Sequence, residues 1–327
     1  MASRLVVVGA SAGGVEALAR LAGDLPADFG AAVVVVLHVS SRGPSALPQI
    51  ISRSGPLPAR HAQDGDVLEP RTIYVAPPDR HVLVRDGALR VVRGPRENGH
   101  RPAIDPLFRS AAASRGREVV AVVLTGSLDD GAAGSASVSR RGGVVVVQDP
   151  AEASFAGMPR SAIEDNSPHA VLPLAEIGPY LTRLVGEGAG GNGHTADMGS
   201  DEIETAYAAL DDEAIERDTP PGDLSPFACP DCGGVLTQVD DETTIRFRCR
   251  VGHAYTVDAL LEQQDESAEA ALWTALRALE ERADLARRLA RRLRRNDLAE
   301  RAERAERSAE HDERHARIVR DLLRKPE

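Results

Sequence analysis

Short, nearly unbroken runs of Val, Leu, Ile and Ala recur through the first half of the chain: Leu5–Val8, Val33–Leu37, Ile73–Ala76, Val119–Leu124, Val144–Val147 and Ala170–Leu172. Runs of this length without polar alternation suit strands covered on both faces, as in a parallel sheet. The segments behind them, Gly14–Leu25 and Asp105–Ser114 for example, read as helices. Strand followed by helix, repeated, predicts an α/β fold with a doubly wound, mostly parallel sheet. His81–Val92 breaks the pattern. Two alternating runs flank Asp86-Gly87 there, which predicts an antiparallel hairpin.

Past residue 256 the period changes. Leu272, Leu276, Leu279, Ala283, Ala286, Ala290 and Leu293 step by alternating four and three, a heptad. Asn296-Asp297 interrupts it, with Glu300 in capping-box spacing three residues beyond Asp297. A second series runs Leu298, Ala302, Ala305, Ala309, Asp312, Ala316, Val319, Leu323. Two antiparallel helices and one long dimeric coil satisfy the pattern equally. The chain therefore divides into 1–185, the α/β domain; 186–227, a linker; 228–256, a small cysteine-bearing module; and 257–327, a helical arm with a structural or self-associating role.

At 327 residues, 42% hydrophobic and 27% charged, the chain has the balance of a folded, multi-unit protein. No apolar run approaches the roughly 20 residues that span a bilayer, and the N-terminus lacks a signal-peptide pattern, so a cytoplasmic location is expected. The net charge of −11 is concentrated: residues 186–227 hold eleven acidic residues against Arg217, and the rest is about neutral. Such a distribution describes an acidic linker and argues against a nucleic-acid partner. A short helix is expected within it, at Ile203–Arg217, between flexible ends.

Gly9-Ala10-Ser11-Ala12-Gly13-Gly14 lies between a strand and a helix. As a dinucleotide fingerprint it fails, because Ser11 takes the place of the second glycine, and the Gly-Lys-Ser/Thr ending of a P-loop is absent. As G-x-S-x-G it fits a nucleophile turn, whose free backbone N–H groups can hold an oxyanion. A serine nucleophile needs a base, and the base an orienting acid. In open parallel sheets such residues gather at the carboxyl ends of strands. His38 ends the second apolar run, and Asp129 and Asp130 follow the fourth. The order serine, histidine, acid differs from the serine, acid, histidine order of α/β-hydrolases.

These residues, with Tyr74-Val75-Ala76-Pro77-Pro78-Asp79-Arg80-His81, Asp105-Pro106-Leu107-Phe108, Leu124-Thr125-Gly126, Asp130-Gly131-Ala132-Ala133-Gly134, Gln148-Asp149-Pro150 and Gly157-Met158-Pro159-Arg160, carry a family resemblance. Residues 4–185 resemble the catalytic domain of the chemotaxis protein-glutamate methylesterases (CheB). The resemblance implies Ser11 as nucleophile, His38 as base and Asp130 as its orienting acid, with the Ala12 amide as oxyanion donor and no cofactor for catalysis. It implies hydrolysis of glutamate γ-methyl esters on methyl-accepting chemoreceptors, with glutamine deamidation as a further activity. A catalytically silent scaffold with the same fold is the alternative. Two departures stand out. Where the family usually has Gly-Met-Gly, this chain has Gly126-Ser127-Leu128, in a loop beside the oxyanion site. The receiver domain that commonly precedes the esterase has no room before Ser11, so control by an aspartyl phosphate on this chain is not expected.

All three cysteines fall in Cys229-x2-Cys232-x16-Cys249-x3-His253. This is a zinc spacing, and the closed Cys3His set predicts a structural zinc ribbon with no open catalytic position. Metal loss is expected to melt residues 228–256 and spare turnover. The remaining histidines carry little chemistry: His81 and His169 read as packed or hydrogen-bonded near the sheet, and His311 and His315 as a solvated helix face.

Overall fold

The computed structural model describes residues 4–39, 45–187, 199–211, 222–240 and 245–324. In chain order the first half runs β1 (Leu5–Ala10), α1 (Gly14–Asp24), β2 (Ala32–Leu37), α2 (Leu47–Ser54), β3 (Ala59–His61), β4 (Ile73–Val75), β5 (His81–Arg85), β6 (Ala88–Val92), α3 (Ile104–Arg115) and β7 (Val119–Val123). It continues with α4 (Ala132–Arg140), β8 (Val144–Gln148), α5 (Gly157–Glu164), β9 (Ala170–Leu172) and α6 (Leu174–Glu187). Seven strands form one parallel sheet in the order β3-β4-β2-β1-β7-β8-β9. The six apolar runs are six of these strands. The three-residue β3, with Arg60 at its centre, has no apolar run to announce it. β5 and β6 pair antiparallel across Asp86-Gly87, as the hairpin signal predicted.

Side chains alternate across β1. Leu5 and Val7 join a core with Leu107 and Phe108 of α3 and Met158 of α5, while Val6, Val8 and Ala10 pack with Leu18 and Leu21 of α1 and Ile177 of α6. Both faces are therefore covered, which is why the strands need no polar residues. Each fully buried Val or Leu contributes about 1.5–3 kcal/mol, so the two cores fix the strand register firmly. The consequence for function is positional. β1 lies between β2 and β7, so loops leaving three adjacent strands emerge side by side at their carboxyl ends.

Beyond α6, residues 188–198 and 212–221 of the acidic stretch lie outside the described residues, as does much of the helix expected at Ile203–Arg217. The helix present is α7 (Gly199–Ala208), packed on α3. The cysteine module is a four-stranded antiparallel sheet, β10 (Asp223–Ala228), β11 (Val235–Asp240), β12 (Ile245–Cys249) and β13 (Ala254–Thr256). It belongs to the same compact unit as the parallel sheet, which extends to Leu260.

The second unit, from Leu261, contains most of α8 (Val257–Arg295) and all of α9 (Ala299–Leu323). The chain reverses at Asn296–Leu298, where Asp297 has φ 57°. The heptad stripes face each other: Leu276, Ala283, Ala290 and Leu293 are buried with Ala302, Ala309, Asp312 and Ala316. Arg282 meets the buried Asp312 at 3.4 Å and Arg294 meets Glu306 at 3.1 Å. Of the two arrangements the heptads allowed, the chain adopts the antiparallel hairpin. Among the described residues no helix is long and apolar enough to cross a membrane.

Candidate active site

Ser11 leaves the end of β1, and its amide donates to Thr125 O at 3.0 Å, tying the turn to the loop after β7. Gly13 follows with φ 73°, a left-handed conformation that glycine adopts without a steric cost, and α1 begins at Gly14. The serine therefore stands at a helix N-terminus. Among the described residues no acceptor meets the Ala12 amide, which is free for an oxyanion. Gly126 presses on Ser11 from the β7 side: a Cβ there would lie 2.9 Å from the Ser11 Cβ and 2.1 Å from Met158 Sδ. The chain requires glycine at this point.

His38 continues β2, its amide donating to Ala10 O at 3.1 Å, so its ring projects beside Ser11. Nδ1 lies 3.1 Å from Ser11 Oγ, and Nε2 lies 2.7 Å from Asp130 Oδ2. The His38 and Asp130 side chains are only 6% and 2% exposed. With the carboxylate charged, Nε2 carries the proton and Nδ1 accepts from the serine hydroxyl. Of the two acids after β7, it is Asp130 that reaches the histidine.

Asp130 is held on four sides. Its Oδ2 also accepts the Ile104 amide at 2.7 Å, and its Oδ1 accepts the Asp105 amide at 3.2 Å and Asn98 Nδ2 at 3.0 Å. The two amides open α3, so a helix N-terminus faces the carboxylate. Burial alone would raise Asp130, but its hydrogen bond to His38, that ring's charge and the Ile104 amide hold it well below the usual carboxylate range. Neighbouring Asp105 goes the other way, pushed well above that range by burial and by the charge of Asp130. The two carboxyl groups are driven apart in acidity, leaving one charged acid for the histidine.

His100 was not foreseen. Its ring stacks on His38 with centroids 3.8 Å apart and planes 20° apart. Burial, then the charge of His38, lowers His100 to about 4, so a neutral ring covers one face of His38. Asn98 and His100 sit in Glu97-Asn98-Gly99-His100, where Asn98 and Gly99 have φ of 51° and 73°. The Asn-Gly pair signals a turn, but nothing in it signals which site the turn faces. Ser127 is exposed, and among the described residues it has no hydrogen bond to the other three. Leu128 adopts φ 59°, a left-handed conformation uncommon for a residue with a side chain of this size. His81 is fully buried, accepting the Ala103 amide at 3.2 Å and bonded to Pro95 O at 2.8 Å, a packed histidine as expected.

Residues 6–181 match the family described as CheB methylesterase. The chain belongs to that family. It is 42% identical over 185 residues to protein-glutamate methylesterase/protein-glutamine glutaminase 5 of Anaeromyxobacter dehalogenans, covering 55% of this chain and 51% of that one. A putative protein of the same name from Leptospira interrogans is 37% identical over 180 residues, 55% of this chain and 93% of its own length. The crystal structure of the Thermotoga maritima CheB methylesterase catalytic domain matches with TM-score 0.54 and 31% identity, over 56% of this chain and 99% of that one. The chain thus spans about half the length of some curated relatives and nearly all of others.

A second cluster lies in the antiparallel sheet. Cys229 directly follows β10, Cys232 lies in the turn after it, Cys249 ends β12 and His253 precedes β13. Hydrogen bonds from Gly233 N to Cys229 O at 2.8 Å and from Gly252 N to Cys249 O at 2.9 Å close the two knuckles. Cys232 Sγ lies 3.7 Å from Cys249 Sγ, and His253 Nδ1 lies 3.7 Å from Cys229 Sγ and 3.6 Å from Cys249 Sγ. All four ligand atoms fall within 4.8 Å of one another. A tetrahedral zinc with bonds of about 2.3 Å to sulfur sets its ligand atoms about 3.8 Å apart, so the donor set and its spacing fit that ion.

Proposed function

We propose that the chain is a serine-dependent protein-glutamate methylesterase acting on glutamate γ-methyl esters of chemoreceptors. The observation that carries this reading is the continuous hydrogen-bonded chain Asp130–His38–Ser11 at the ends of three adjacent strands. Ser11 Oγ attacks the γ-carbonyl carbon while His38 Nδ1 takes its proton, and Asp130 stabilises the imidazolium through Nε2–H. The Ala12 amide at the head of α1 holds the tetrahedral oxyanion. Collapse expels methanol, protonated by His38. Water, activated by the same Nδ1, then hydrolyses the ester on Ser11 and leaves the glutamate carboxylate. A glutamine side chain in the same position would lose ammonia instead, which is the second activity in the names of the relatives. The neutral His100 ring shields one face of His38 from water.

Cys229, Cys232, Cys249 and His253 are read as the ligands of a structural zinc. Four protein ligands leave no position for substrate, so the ion stabilises the antiparallel sheet and supplies no step of the chemistry. Receptor helices bearing these esters lie in the cytoplasm, and a cytoplasmic location goes with this reading. Methanol release from methylated receptor cytoplasmic fragments, with Ser11→Ala as control, tests the activity.

A further inference from the structure

We infer that the cysteine ribbon braces the catalytic loop, with Asn98 as the positioning residue that joins strand β13 to Asp130. This deepens the esterase reading and rests on it. Three hydrogen bonds connect β13 to the turn after β6: Asn98 N donates to Ala254 O at 2.8 Å, Ala254 N to Arg96 O at 3.2 Å, and Thr256 N to Asn98 Oδ1 at 3.0 Å. The last bond decides the orientation of the Asn98 amide. With Oδ1 accepting from the ribbon, Nδ2 points inward, and its two protons meet Asp130 Oδ1 and Asp105 Oδ2, each at 3.0 Å. One buried side chain therefore spans the two carboxyl groups beside the base, and the backbone of β13 holds it in that pose.

Buried charge reinforces the junction. Glu97, adjacent to Asn98, meets Arg109 of α3 at 2.9 Å and Arg248 of β12 at 3.2 Å. Glu204 of α7 meets Arg109 at 3.2 Å and also pairs with Arg246 of β12. Without the ribbon, Glu97 and Glu204 would share Arg109 alone, and an uncompensated buried charge is strongly unfavourable. The metal knuckle is close in sequence to this junction: His253 directly precedes Ala254, and Cys249 ends the strand that pairs with β13. A path therefore runs His253, Ala254, Asn98, Asp130, His38, Ser11. This is at odds with the sequence expectation that losing the metal would spare turnover.

The test uses the full-length chain and two readouts. The rate at which phenylmethylsulfonyl fluoride modifies Ser11, followed against pH, reports the triad without a receptor substrate. Hydrogen exchange at residues 96–101 and 254–256 reports the junction. Metal removal by a chelator is expected to raise exchange in both segments and slow Ser11 modification about 100-fold, the cost of misplacing a reacting group by about 1 Å. Asn98→Ala should slow it similarly, and chelation should add little in that variant. Asn98→Asp, near in shape but a third carboxyl group in the cluster, should be slower still at neutral pH and recover as pH falls. A purely structural asparagine would not show that pH dependence. Opening of the ribbon by exchange with the rate and pH profile of Ser11 modification unchanged would overturn the inference. Purified protein lacking zinc would contradict the metal reading alone, and Arg248→Met then replaces chelation with the same deciding outcomes. Intact Ser11 modification without methanol release from receptor fragments would contradict the substrate reading and leave the brace standing.

Discussion

Asp129 is 7% exposed, next to the Asp130 that meets His38, and among the described residues its Oδ1 has no hydrogen-bond partner. Burial pushes it up to about 7, opposed by the Thr256 side chain and aided by the charges of Asp258, Asp130 and Asp165. The folded protein therefore holds this proton more tightly than the unfolded chain. Below the ordinary carboxylate value of 3.8 both states are protonated and nothing is lost. As pH rises from there to about 7 the unfolded chain ionises first, so stability falls throughout that window and stays reduced above it. The difference corresponds to roughly 4 kcal/mol at full extent. Asp129→Asn keeps the shape and removes the titration. It should stabilise the first unit by about 2–4 kcal/mol at pH 8, a rise in Tm of about 5–10 °C, and by less than about 1 kcal/mol at pH 4. Thermal unfolding followed by circular dichroism at both pH values measures this. An equal gain at the two pH values, or none at pH 8, would refute the reasoning.

Two further outcomes follow from named geometry. Leu128→Gly should relieve a left-handed backbone that costs about 1–2 kcal/mol for a side chain, offset by the freedom glycine adds to the unfolded chain. A net stabilisation up to about 1 kcal/mol in urea titrations is expected, and a loss would mean that the Leu128 side chain is needed where it lies. Elemental analysis should find about one zinc per chain, and Cys249→Ser should lower that content sharply, since it removes one of four ligands.

The parallel sheet was legible because strands covered on both faces must be written in Val, Leu, Ile and Ala, and six of seven were. The meeting of Ser11 and His38 was legible because both follow directly on such runs, at the ends of adjacent strands. Asp130 could not be separated from Asp129 by position alone; the resemblance favoured Asp130, and the N-terminus of α3 shows the reason by cradling that carboxylate. The convergence of the three cysteines and His253 was legible from spacing. The rest was not, and for a physical reason. Asn98 and His100 act through tertiary contacts with residues up to 158 positions away, as in the bond from Thr256, and no local periodicity records such a contact. The same holds for Glu97 and Arg248, whose pairing makes sense only once the ribbon lies against α3. Read as a sequence, the cysteine module was separate, because its own hydrophobic residues, cysteines and histidine close on themselves.

The central claim is that Ser11, activated through His38 and Asp130, hydrolyses glutamate methyl esters. Methanol release from methylated receptor cytoplasmic fragments, measured for wild type beside Ser11→Ala, tests it most directly. The account predicts steady release from the wild-type protein and none above background from Ser11→Ala, with that variant folded and binding zinc normally. Release that persists in Ser11→Ala, or its absence from wild-type protein whose Ser11 still reacts with sulfonyl fluoride, would contradict it.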